Sequence, residues 1–528
     1  MNRLGRILGG LLFAGFVLVV AELTLRAFGV GEAAPLHDPF SGFSSAVPVF
    51  EAVLREDGTP IYRLSPARQV GAPDGLEPEP QREFTREKAE GVYRIFVIGG
   101  SSAAGHPYTT RYAFSSWLER RLRAALPDLR VEVVNAALAS YASRRLVPVV
   151  EEIARHEPDL LIVYMGHNEW AEAQYYRHLL DLDPRLFRLL EWMYRTRIYR
   201  LISGIIEQTG TDPAAAPVGT DAHENTVEMF AVIRDRVDGV VYPTERELAY
   251  RDLLYEHNLR SMVRAMQAAG AGVVLVTLSQ NFSDWPPAAS AHRTGIAAEA
   301  LGAWERHVAE GDRFAREGDC AAAIAAYGRA LEIDDAYADL HFRIAACERA
   351  LGRLDRARAS YRGASDLDRV PHGAPTTYND FVRAFAGDAG ALLVDVEAAL
   401  ERESGDGLVG NDLFLDFAHP NLRAHQVIAA AIADALRAAD LPVAKERWRE
   451  GAYADPDPAS LYRADPRLRI GEFKTRVFIC VIAPRDYCDE EARTLLSLEP
   501  ENWAAKAALD RQAREERPST HSKTSGPR

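Results

Sequence analysis

The chain is poor in cysteine, in lysine and in net positive charge. Only four cysteines occur in 528 residues, at positions 320, 347, 480 and 488. No CxxC pair exists among them, which argues against a structural zinc site. Cys480 and Cys488 are close enough to form a disulfide outside the cytoplasm, although two buried thiols would leave the same pattern. Lysine occurs five times, so arginine carries nearly all the basic charge, and the formal net charge is −14. That balance argues against general nucleic-acid binding. What is present is ordinary for a globular protein: 47% hydrophobic and 26% charged residues. This composition excludes wholesale disorder and allows a large core. The length points to two or three domains.

The N-terminus stands apart. Arg3 and Arg6 precede an uninterrupted apolar run from Ile7 to Ala21, and a weaker continuation reaches Val30 past Glu22 and Arg26. A spanning helix needs roughly 20 residues. The run to Val30 is long enough if Glu22 and Arg26 snorkel or meet a partner. We therefore expect residues 1–30 to be an uncleaved transmembrane signal anchor, with the rest of the chain outside the cytoplasm. A cleaved signal peptide is the rival reading.

Residues 31–91 are rich in Pro, Gly and charge and read as a tether. Five buried strands follow: "YRIFVIGG" (93–100), "VEVVNAAL" (131–138), "LLIVYM" (160–165), "GVVLVTL" (272–278) and "ALLVDV" (391–396). Segments with helical spacing separate them, as at Trp117, Leu118, Leu122 and Leu126. That alternation predicts a three-layer α/β domain with a parallel five-stranded sheet, divided into residues 92–302 and 371–440. Between strands four and five, two segments align at an offset of 34. Gly318 matches Gly352, Ala323 matches Ala357, Tyr327 matches Tyr361 and Ala330 matches Ala364. This period and small-residue pattern are those of two tetratricopeptide (TPR) repeats, expected over 303–370. Two repeats are fewer than usual, so they must lean on neighbouring helices or on the α/β domain. Residues 441–528 carry few signals. "RVFICVIAP" fits a strand or an apolar contact segment, and the last dozen residues read as a tail.

The strand ends carry the chemistry. Strand one ends in Gly99-Gly100-Ser101-Ser102, strand two in Asn135-Ala136-Ala137, and strand three in Gly166-His167-Asn168-Glu169. After strand five, "DFAHP" puts Asp416 and His419 three residues apart, ahead of a closing amphipathic helix. A serine at a strand-to-helix turn exposes its hydroxyl but needs a base to become a nucleophile. His419 is that base if a carboxylate fixes its tautomer, and Asp416 is placed to do so. Acyl chemistry also needs donors for the developing oxyanion. The backbone amides of Ser101 and Ala137 and the side-chain amide of Asn168 come from neighbouring strand ends.

These blocks, in this order, resemble the SGNH or GDSL-type hydrolase superfamily. "GGSSAAG" is similar to its nucleophile block, "NAALAS" to its glycine block, "GHNE" to its asparagine block and "DFAHP" to the block that supplies Asp and His. With the inserted repeats, the chain looks like a membrane-anchored bacterial branch. The resemblance implies a flavodoxin-like fold and ester hydrolysis or acyl transfer through an acyl-serine, with no metal or organic cofactor. Two departures stand out: Gly100 where the common motif has Asp, and Ala137 where it has Gly. A backbone donor survives the second change.

Other residues have bland readings beside functional ones. His167 and His425 read as loop packing and as an exposed helix position. A place at the cleft mouth is the less favoured reading of His106, and Glu169 reads as a structural acceptor of loop amides. Arg144 and Arg145 read as a solvated helix start or a grip for an anionic substrate. Trp285 reads as loop packing or an aromatic sugar platform. The resulting expectation is an extracytoplasmic serine esterase acting on an ester-containing small molecule, lipid or glycan, with a protein partner on the repeats. An O-acyltransferase with the same triad, or a repeat scaffold with an idle hydrolase domain, are the alternatives.

Overall fold

The computed structural model describes residues 3–30, 38–68, 82–202, 243–371, 373–482 and 488–515, with the backbone alone for 3–11, 178, 478–482 and 510–515. Helix α1 (Arg3–Ala27) comes first. Three short strands follow, β1 (Phe50–Leu54), β2 (Pro60–Leu64) and β3 (Glu83–Thr85), paired antiparallel in that order. They are not a tether. Val49, Phe50, Leu64 and Phe84 are buried in the main core, and Glu152 accepts from the backbone of Val49 and Phe50 at 2.8 and 2.9 Å. Alternation alone hid this sheet, because its strands are short and separated by charged turns.

The α/β domain then runs β4 (Val92–Gly99), the single turn α2 (Ser101–Ala104), α3 (Phe114–Ala125), β5 (Arg130–Asn135), α4 (Ser143–Ile153) and β6 (Leu160–Tyr164). It continues with α5 (Glu169–Tyr175), α6 (Arg177–Leu180), α7 (Pro184–Tyr194), α8 (Glu245–Ala268) and β7 (Gly272–Val276). Two helical hairpins intervene, α9 (Ala298–Arg316) with α10 (Cys320–Leu331) and α11 (Ala338–Ala350) with α12 (Leu354–Asp366). After them come α13 (Thr376–Asp388), β8 (Leu392–Val394), α14 (Val396–Glu403) and α15 (Leu422–Ala438). The five strands β4 to β8 form one parallel sheet in the order β5-β4-β6-β7-β8. This is the flavodoxin-like order, whose ligand crevice lies at the carboxyl ends where the chain reverses direction across the sheet. That point falls between β4 and β6. Every residue of β6 is buried, as expected for a strand covered on both faces. Helices α3 and α15 pack together, as do α4 and α8, and Tyr255 of α8 stacks on Tyr378 of α13 at 3.9 Å.

The hairpins carry their 34-residue register into packing. An added Cβ at Gly311 would lie 2.4 Å from the Tyr327 ring, so glycine is what lets α9 and α10 approach. The equivalent pair one period on, Ala345 and Tyr361, shares a buried cluster with Ala357 and Leu408. The second hairpin leans on the α/β domain as anticipated: Arg349 reaches Asp406 at 2.8 Å, and Gln280 donates to Ser365 at 2.7 Å.

The C-terminal region is more ordered than its sequence suggested. Helices α16 (Pro458–Ala464), α17 (Arg467–Ile482), α18 (Cys488–Leu498) and α19 (Trp503–Glu515) follow α15, and Val477, Leu495 and Ala505 centre a core of their own. The segment "RVFICVI" belongs to α17, not to a strand. Cys488 is disulfide-bonded, while the side chain of Cys480 lies outside the described residues. Cys320 and Cys347 are free thiols. Among the described residues, no helix is long and apolar enough to cross a membrane. The side chains of Ile7–Leu11, the first part of the expected anchor, lie outside that description, as do the last dozen residues.

Candidate active site

The nucleophile position is built by two glycines. Gly99 ends β4 with φ +158°, and a Cβ there would lie 2.0 Å from the Tyr164 carbonyl oxygen. Only glycine lets β4 turn so close beside β6. Gly100 has an ordinary extended backbone, φ −88° and ψ −157°. A Cβ there would lie 2.3 Å from Asn168 Nδ2, so this residue must be bare for the Asn168 amide to sit beside Ser101. The departure from the common Asp is thus a packing requirement of this chain.

The His–Asp loop is held by its own hydrogen bonds. Leu415 N–H donates to the His419 carbonyl at 2.9 Å, and Asn421 N–H to the Leu413 carbonyl at 2.9 Å. Asn421 then caps α15 by accepting from Ala424 N–H. Asp416 Oδ1 accepts from the amides of Ala418 and His419 at 2.8 and 2.9 Å. This leaves Oδ2 for the imidazole, which it meets at His419 Nδ1, 2.6 Å away. The other ring nitrogen, Nε2, lies 2.8 Å from Ser101 Oγ. Ser102, next to the nucleophile, donates its hydroxyl to the Ala418 carbonyl at 2.8 Å, which locks α2 to this loop.

The electrostatics suit a relay. Asp416 is 1% exposed. Burial pushes its carboxyl up, but the His419 charge and the hydrogen bonds from His419 and the loop amides outweigh burial and hold it below the usual carboxylate range. A buried anion at Nδ1 keeps that nitrogen protonated and Nε2 free to take the serine proton.

The three expected oxyanion donors are not equivalent. Ser101 N–H stands at the first position of α2, where helix geometry offers it no partner. Asn168 gives one amide proton to the Tyr141 carbonyl at 3.0 Å and keeps a second. Ala137 N–H, by contrast, donates to Asn135 Oδ1 at 3.1 Å. Asn135 is itself clamped by bonds to the Ala103 carbonyl and Ser115 Oγ, at 3.0 and 2.9 Å. A short side chain that bonds a backbone amide two residues on is a common local competitor.

The surrounding residues divide. His106 is exposed at the mouth, its ring 4.7 Å from that of His419. His167 is buried, accepts from Ala374 N–H at 3.3 Å, and is pushed down to about 3 by burial and the neighbouring His419 charge. His425 is 0% exposed rather than on the outer face of α15, and burial brings it down to about 3. It points inward because it stacks on Phe114 of α3. Glu169 does accept from the amide and hydroxyl of Ser143, at 2.7 and 2.8 Å. Arg144 is exposed, but Arg145 is 0% exposed, because Glu172 and the Ser41 and Ser140 carbonyls take its donors. It is a structural post and not a grip for substrate. Trp285 packs near Phe417, 5.8 Å between rings, in a cleft also lined by Tyr361 and Phe342 of the hairpins. Among the described residues, no cluster of side chains could hold a metal ion.

A serine hydrogen-bonded to a histidine that is hydrogen-bonded to a buried aspartate, at the crevice of a flavodoxin-like sheet, defines a serine-hydrolase domain. Residues 97–349 match the family model described as the GDSL-like Lipase/Acylhydrolase family. That match, beside the serine, histidine and aspartate just described, makes the chain an ester-bond hydrolase. The match ends within α11, so Asp416 and His419 lie beyond it, and geometry alone brings them to Ser101. No curated protein matches the chain. Among solved structures, Axe2, an acetylxylan esterase from Geobacillus stearothermophilus, aligns at 15% identity, covering 65% of this chain and 94% of that one, with a TM-score of 0.30. A putative lipolytic protein of the G-D-S-L family from Desulfitobacterium hafniense aligns at 10% identity, covering 65% and 99%, with a TM-score of 0.27. At these scores the site stands on its own geometry and on the family match.

Proposed function

We propose that this protein is an extracytoplasmic serine esterase that removes O-acyl groups from a carbohydrate or lipid. The observation that carries it is the unbroken path from Ser101 Oγ to His419 Nε2 at 2.8 Å and from His419 Nδ1 to Asp416 Oδ2 at 2.6 Å. Ser101 Oγ attacks the ester carbonyl carbon while His419 Nε2 takes its proton. Ser101 N–H and the Asn168 amide hold the oxyanion; Ala137 joins them only by leaving Asn135. The carbonyl re-forms, the C–O bond to the alcohol breaks, and His419 returns its proton to the departing oxygen. Water, deprotonated by His419, then attacks the acyl-serine and releases the acid and free Ser101. Asp416 orients the imidazole and stabilises its charged form throughout.

Membrane attachment through α1 is part of this proposal. Most of its apolar side chains from Leu12 to Leu23 are exposed, with Leu12 at 72%, and Phe28 just beyond the helix is 79% exposed. The disulfide at Cys488 favours an oxidising compartment. The two hairpins are read as TPR repeats that offer a site for a protein partner. The Gly311–Tyr327 and Ala345–Tyr361 pairs, 34 residues apart, support that reading.

The test is fluorophosphonate labelling of the full chain in detergent, beside Ser101→Ala, His419→Ala and Asp416→Asn. Labelling should vanish in the first two and fall by about 10³–10⁴ in the third, where the tautomer is lost. A folded wild type that does not label refutes the reading. Release of acetate from an acetylated glycan, with and without a free glycan as acceptor, separates hydrolysis from transfer.

A further inference from the structure

Helix α17 lies outside the α/β sheet and beyond the family match, yet it reaches the active site. The segment after the nucleophile starts on Ser101 itself, whose carbonyl accepts from Gly105 N–H and His106 N–H, both at 3.0 Å. The same segment is then gripped by α17 at three points. His106 Nε2 lies 3.2 Å from Thr475 Oγ1. Gly471 packs on Pro107, where an added Cβ would come within 3.2 Å of the Pro107 carbonyl oxygen. The hydroxyls of Tyr108 and Tyr462 both donate to Glu472.

The hydroxyl of Thr475 settles the state of His106. It has one proton, and that proton goes to the Gly471 carbonyl at 3.1 Å, within the helix. Toward His106, Thr475 Oγ1 can therefore only accept, so Nε2 of His106 must carry the hydrogen. A neutral imidazole protonated at Nε2 has its lone pair on Nδ1. Among the described residues, that nitrogen has no partner. The ring it belongs to is exposed and stands 4.7 Å from the ring of His419.

We propose that α17 completes the active site, with Thr475 and Gly471 as positioning residues for His106. His106 Nδ1 is a fixed acceptor beside His419 that takes a hydroxyl on the alcohol half of the ester. The preferred substrate is thus an ester of a polyol or sugar with a free hydroxyl near the acylated one. A simple aryl or alkyl ester has nothing to offer that nitrogen. The inference rests on the esterase reading of Ser101 and His419.

The test compares glycerol monoacetate, which has neighbouring hydroxyls, with p-nitrophenyl acetate, which has none. It uses the full chain as wild type, His106→Ala, Thr475→Val and Thr475→Ser. Losing one such hydrogen bond lowers kcat/KM for glycerol monoacetate by about three- to tenfold in the first two variants. The loss on p-nitrophenyl acetate should be clearly smaller than on glycerol monoacetate in both variants, and Thr475→Ser, which keeps the acceptor, should restore the preference. Equal losses on both esters, or no loss in either variant with an active wild type, overturn this inference alone. A wild type that neither labels with fluorophosphonate nor hydrolyses either ester overturns the esterase reading and this inference together.

Discussion

Gly100→Ala isolates one steric contact at the centre of the site. The backbone at Gly100 lies at negative φ, a conformation alanine adopts without strain, so the substitution carries no backbone cost. Its whole effect comes from the new methyl, which would sit 2.3 Å from Asn168 Nδ2, while its next neighbour, the Tyr141 carbonyl oxygen at 3.4 Å, is nearly at ordinary contact. The amide must move by about an ångström to reach a normal separation. It then gives up its bond to the Tyr141 carbonyl and its place beside Ser101. Loss of one oxyanion donor costs about 10²–10³ in rate. A displaced donor loses part of that, so kcat/KM should fall by about 10–10². Measured by p-nitrophenyl acetate turnover and by the rate of fluorophosphonate labelling, the loss should be far smaller when Asn168 is already alanine, because the methyl then meets empty space. A Gly100→Ala enzyme at wild-type rate, or a loss that adds in full to that of Asn168→Ala, refutes the reasoning. The same contact predicts that installing the common Asp at this position harms this protein.

Two further outcomes follow from other parts of the fold. Burial, reinforced by the charge of Glu172, pushes the Glu169 carboxyl up to about 8. A carboxyl raised in the folded state is held protonated there while the unfolded chain ionises. Wild-type stability should therefore decline as pH rises from the ordinary carboxylate range to about 8, and Glu169→Gln should flatten that decline in thermal melts at pH 5 and pH 8. A Glu169→Gln protein with the wild-type pH slope contradicts the assignment. Gly311→Ala drives a methyl to 2.4 Å from the Tyr327 ring. It should destabilise the first hairpin by about 1–3 kcal/mol, seen as faster proteolysis within 298–331 with esterase activity retained.

Much of the site was legible because its parts are local. The strand ends announce themselves as buried apolar runs that stop at glycine, and their order along the chain is the order that a flavodoxin-like sheet needs. "DFAHP" encodes its own geometry: the Asp416 side chain bonds the two amides that follow it and has one oxygen left to face His419. The 34-residue register of the hairpins is legible for the same reason, since each hairpin packs on itself.

What the sequence could not decide is everything that depends on which surface a residue meets far along the chain. Arg145 and His425 look solvent-ready by type and helix position. They are buried because Glu172 and loop carbonyls satisfy the one, and the aromatic face of α3 receives the other. Ala137 has the backbone amide that the chemistry asks for, but the orientation of Asn135, held by α2 and α3, sends that hydrogen bond inward. The grip of α17 on His106 joins residues 369 apart in sequence. The sequence alone determined the strands themselves, the hairpin register and the pairing of Asp416 with His419, because hydrogen bonds and periodicities over a few residues are set by neighbours. The tertiary structure alone decided burial, which amide hydrogens stay unbonded beside Ser101 and the reach of the C-terminal helix to His106, because these depend on contacts that form only once the sheet has brought distant segments together.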